Sequence, residues 1–85
     1  MDIHQSVFKH GVDIDAIEHA VDHAVVIINL EPDSDPPRVL AIGPNLAGIM
    51  LEIIWLELAE DRLMVIHAMA LRPTFYDLLP PGDPT

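Results

Sequence analysis

At 85 residues the chain is one domain that buries about 60–65% of its unfolded surface, and its 51% apolar content suffices for a single core. Four basic against 14 acidic residues give a net charge of −10, which excludes a general nucleic-acid-neutralising surface and suits a basic partner. With no cysteine there is neither a disulfide framework nor a thiolate metal site. No apolar run reaches the roughly 18 residues of a membrane span. The opening MDIHQSVFKH also lacks the pattern of a signal peptide, so a cytoplasmic setting is expected.

In chain order, residues 2–10 predict a short helix capped by Asp2, with Gly11 as its terminator. Asp13 then caps a second helix over 13–23, completing a helical hairpin. Ile14, Ile17, Val21 and Ala24 form its apolar stripe, and Asp15, Glu18, His19, Asp22 and His23 its polar face. VVIINL at 25–30 reads as a strand, and EPDSDPP as a proline-broken loop. RVLAIG at 38–43, the run at 49–58 and the run at 62–69 follow as a meander. PNLAG and AED supply its turns. The run at 49–58 is apolar on both pleat faces except at Glu52 and Glu57, which point to opposite sides. Met50, Met64, Met69 and Trp55 read as core. Pro73 at a first helical position starts a short last helix docked by Phe75, Leu78 and Leu79. The expected fold is thus α+β: a helical hairpin, a four-stranded antiparallel sheet and a C-terminal short helix. It is one domain over 1–79, with 80–85 a frayed tail. One helical layer covers one sheet face only, so a homodimer or a hetero-complex is expected.

Two groups of residues carry chemistry. His19 and His23 stand four apart on a helix with Asp15 one turn back, a spacing compatible with a shared metal. An exposed polar helix face explains them better, and no metal or cofactor is assigned. His67 interrupts an apolar strand, where an ionisable group must be hydrogen-bonded or used. Arg72 and Tyr76 follow at a strand-to-helix junction. Imidazole, guanidinium and phenol together suit a phosphodiester: one moves protons, one grips phosphate and one donates a hydrogen bond. The plain alternative is that His67 bonds a neighbour and Arg72 pairs with an acid. Arg38, just past the acidic loop, has an ion pair with Asp33 or Asp35 as its simplest explanation. Lys9 and His10 suit a helix C-terminus.

Lys9-His10-Gly11-Val12, the strand RVLAIG and the stretch from Ile66-His67-Ala68-Met69 through Arg72 to Phe75-Tyr76 resemble, in this order, the BrnT family of type II toxin–antitoxin toxins. The resemblance implies a RelE-like ribonuclease fold, RNA cleavage that halts translation, and neutralisation by a small DNA-binding antitoxin. By position Lys9 and His10 match the family's KHG, as RNA-contacting residues. Arg38 matches its strand arginine, and Ile66–Met69 its I-S-A-R stretch.

Two functions follow. One is a metal-independent endoribonuclease toxin in which the RNA 2′-hydroxyl attacks its own phosphate. His67 transfers protons, Arg72 and Arg38 hold the phosphate, and Tyr76 assists. The other is a non-catalytic interaction module of the same fold that binds a basic partner or itself.

Overall fold

The structure, a computed structural model, describes residues 1–31 and 33–80. In chain order come β1 (Asp2–Ile3), a 3₁₀ helix (Gln5–His10), α1 (Ile14–Asp22), β2 (Val26–Glu31), β3 (Arg38–Pro44), β4 (Met50–Glu57), β5 (Leu63–Ala70) and a second 3₁₀ helix (Pro73–Leu78). The strands form one five-stranded mixed sheet, ordered β1-β5-β4-β3-β2. β2 to β5 are an antiparallel meander, as their alternating apolar runs and turn residues require. Among the described residues no helix is long and apolar enough to cross a membrane.

The N-terminus departs from expectation. Asp2 and Ile3 do not open a helix; they pair in parallel with Met64 and Val65 of β5. A two-residue strand satisfies part of an otherwise open sheet edge, and His4 N–H adds a bond to the Val65 carbonyl at 2.9 Å. Asp2 therefore caps nothing. It accepts from Arg62 Nη2 at 2.9 Å, and that hydrogen bond lowers its pKa below the usual aspartate range. The expected helical hairpin is one 3₁₀ helix, capped by His4, followed by one α-helix. Gly11 does end the first element, at φ +77°.

Asp13 caps α1, its carboxylate accepting from Ala16 N–H at 2.8 Å. The buried stripe of α1 is rotated from the expected one: Ile17 and Ala20 are fully buried, Val21 and Ala24 partly so, and Ile14 is exposed. The cause is close approach. A Cβ on Gly43 of β3 would lie 2.0 Å from the Ala20 carbonyl oxygen, so α1 presses its small residues onto backbone there. Val7, Ile17, Ala20, Val39, Ala41, Leu51, Ile53, Trp55, Val65 and Ala68 form this core. Leu40 and Ile42 alternate with Val39 and Ala41, so they lie on the opposite sheet face, where they too are fully buried.

The two turns that join β3, β4 and β5 follow local chemistry. Asn45 Oδ1 accepts from Ala47 and Ile49 N–H at 2.9 Å each, and Gly48 closes the turn at φ +85°. Glu60 and Asp61 both have positive φ, 63° and 59°, the backbone of a type I′ hairpin turn. At the far end Pro73 opens the last element as expected, but that element is a 3₁₀ helix with no buried residue. Phe75 is half-buried, and Leu78 is exposed rather than docked. The expected frayed tail lies outside the described residues from 81 onward.

Candidate functional site

Glu52 is the centre of the site. It sits mid-strand on β4, on the face opposite α1, and is completely buried. A lone carboxylate cannot stay ionised in such a place, so the fold surrounds it with donors. On β5, His67 is paired with Ile54, diagonal to Glu52, and its Nε2 lies 2.7 Å from Glu52 Oε2. The chain leaves β5 so that Arg72 reaches back over the same carboxylate. Its backbone N–H donates to Oε1 at 2.8 Å, its Nε bridges both oxygens at 3.0 Å, and its Nη2 donates to Oε2 at 2.6 Å.

These bonds decide the charge. Burial pushes the Glu52 carboxyl up, but the Arg72 side-chain and backbone bonds and the His67 bond outweigh it and hold the pKa below the usual glutamate range. The side-chain bond to Glu52 in turn raises the Arg72 guanidinium above its ordinary value. An ionised Glu52 can only accept, so the hydrogen between it and His67 belongs to Nε2. In the neutral ring the lone pair is therefore on Nδ1, and the His67 side chain is 21% exposed. The result is a carboxylate–imidazole pair in which Nδ1 takes no part.

A second imidazole stands beside it. His10, at the end of the first 3₁₀ helix, lies edge-on to His67 with ring centroids 6.0 Å apart. His10 is exposed, as is Lys9 next to it. The Arg72 guanidinium lies 5.6 Å from the centre of the Phe75 ring, a cation–π contact that steadies its outer edge.

The remaining sequence candidates lie elsewhere. Arg38 faces Glu31 at 3.8 Å rather than Asp33 or Asp35. It is four residues along β3 from Ile42, the partner of Glu52, or roughly 13 Å at about 3.3 Å per residue. Tyr76 is half exposed, and its phenol makes no hydrogen bond to Glu52, His67 or Arg72. His19 and His23 stack with centroids 4.2 Å apart and planes 20° apart. Their Nδ1 atoms bond the Pro44 and His19 carbonyls at 2.8 and 2.9 Å. A metal in the plane of one ring would sit out of the plane of the other. Among the described residues no group of three or more His, Cys, Asp or Glu side chains is placed to hold a metal.

Sequence reasoning missed Glu52 as a member of this site. The signal was present: an acid inside an uninterrupted apolar strand is harder to bury than a histidine, and so demands a cation more strongly. No protein-family model, no curated protein and no solved structure matches the chain.

Proposed function

We propose that the protein is a toxin-type, metal-independent endoribonuclease built around His67, with Glu52 as its positioning residue. The observation that carries this reading is the convergence of His10 and His67, from opposite ends of the chain, at 6.0 Å beside an oriented carboxylate. Two imidazoles are what internal phosphoryl transfer in RNA needs. His67 Nδ1 takes the proton of the 2′-hydroxyl as its oxygen bonds to phosphorus. His10 gives a proton to the departing 5′-oxygen as the P–O5′ bond breaks, leaving a cyclic 2′,3′-phosphate and a free 5′-hydroxyl. Lys9 and the outward edge of Arg72 offer positive charge to the phosphate. A small DNA-binding antitoxin of basic character would neutralise such a protein.

One observation favours the non-catalytic interaction module. Each of the three arginines already faces a carboxylate: Arg38 faces Glu31, Arg62 faces Asp2 and Arg72 faces Glu52. Little cationic surface is then left for RNA.

Induced expression, scored for growth and RNA integrity, separates the two. The nuclease reading expects growth arrest and cleaved RNA, with His67→Ala and His10→Ala each lowering the rate by about 100- to 10,000-fold. Intact RNA and normal growth with the wild-type chain would leave the interaction module standing.

A further inference from the structure

The two sheet edges are treated differently. The β5 edge receives β1 and the 3₁₀ helix that follows it. The β2 edge has no partner strand among the described residues, although β2 is six residues long. Proteins usually blunt such an edge with a charge or a proline. Glu31 and a register shift between Asn29 and Glu31 blunt only its far end; the run VVIINL before them has neither charge nor proline, and Val25 and Ile27 are 49% and 57% exposed. Ile27 pairs with Ala41, so it lies on the helix side of the sheet, beyond the reach of α1.

Charge decides what fits there. Between Lys9 and Arg38 the chain carries Asp13, Asp15, Glu18, Asp22, Glu31, Asp33 and Asp35 and no lysine or arginine. All seven acids are exposed. The uncharged run 25–30 is therefore bracketed along the chain by Asp22 before it and by Glu31, Asp33 and Asp35 after it. A second copy of this chain would bring the same acids against themselves. We infer that the free edge of β2 is a docking site for an extended basic segment of another protein, which adds a sixth strand to the sheet.

Main-chain hydrogen bonds along β2 supply affinity, and apolar residues at alternate positions cover Val25 and Ile27. Flanking lysines or arginines meet Asp22 at one end of the run and Glu31, Asp33 and Asp35 at the other. The site stands apart from the histidines: β2 lies two strands from β4, about 10 Å across the sheet. It therefore does not rest on RNA cleavage, and docking or cleavage can fail without the other.

The probe is a blocked peptide of about seven alternating lysines and valines, a strand's length, titrated into the ¹⁵N-labelled full chain at low salt. Two counterparts serve as controls: one with aspartates for lysines, the other with the same charge and every amide N-methylated. Binding of the lysine peptide is expected, with the largest amide shifts in residues 25–31. Both controls should bind about tenfold or more weakly. Ile27→Lys, an exposed substitution whose folding circular dichroism verifies, should weaken the lysine peptide likewise. Equal binding of the N-methylated peptide, shifts centred elsewhere, no binding, or β2 amides already protected by a second copy would each overturn the inference.

Discussion

A single carboxylate sets the character of this protein at the residue scale. Glu52 is fully buried and ionised, and among the described residues Arg72 and His67 are its only side-chain partners. Removing the Arg72 side chain takes away three of the five hydrogen bonds to a buried carboxylate, leaving those of His67 and the residue-72 backbone N–H. Arg72→Ala is thus expected to lower the urea midpoint strongly, although its side chain is 47% exposed. A loss of less than about 0.5 kcal/mol, typical of a surface change, would show that the clasp contributes little. The pH dependence has a definite sign. The folded pKa of Glu52 is lowered, so its stabilisation is present above the ordinary glutamate value of about 4.3 and is lost as pH falls through the folded value. Glu52→Gln should flatten that acid limb in melts between about pH 2 and pH 5, leaving a smaller contribution from Asp2, whose pKa is lowered by Arg62. An unchanged acid limb would refute the assignment.

At the scale of elements, two backbone features are decisive. Gly43 lets α1 approach β3 so closely that a methyl group there would overlap the Ala20 carbonyl. Gly43→Ala should destabilise by about 1–3 kcal/mol in chemical denaturation, because backbone rather than a flexible side chain must move. Wild-type stability in that variant would mean that α1 slides freely. The β4–β5 turn runs the other way: Glu60 and Asp61 hold positive φ at the expense of strain. Replacing them with Asn-Gly, which suits a type I′ turn, should raise stability by about 1 kcal/mol, seen as a Tm gain of about 4–8 °C. A drop in Tm would indicate that the exposed side chains there make contacts of their own.

For the whole molecule, charge is the main variable. A net charge of −10 on 85 residues repels itself, and the repulsion is densest along the acid-only stretch from Asp13 to Asp35. Salt at about 0.15 M shortens the screening length to about 8 Å, so Tm should rise between low and physiological ionic strength. A falling Tm would show that the exposed pairs Arg62–Asp2 and Arg38–Glu31 outweigh the general repulsion. The docking proposed at the β2 edge rests on the same field.

The sequence by itself determined what depends on local chemistry. The strand runs, the Asp13 cap, the Gly11 and Gly48 turns and Pro73 at a 3₁₀-helix start each follow from a residue's own backbone preference or from a period of two, and the strands lie within a residue of the expected bounds. Only the tertiary structure decided the pairings between distant segments. Asp2–Ile3 became a strand because β5 offered an open edge, and the buried stripe of α1 turned toward Ala20 because Gly43 left room for it. Glu52, His67, Arg72 and His10 came together because strand register set Glu52 diagonal to His67, and the chain beyond β5 folded back across both. Register and chain reversal depend on the whole sheet, so no local window of the sequence contains them.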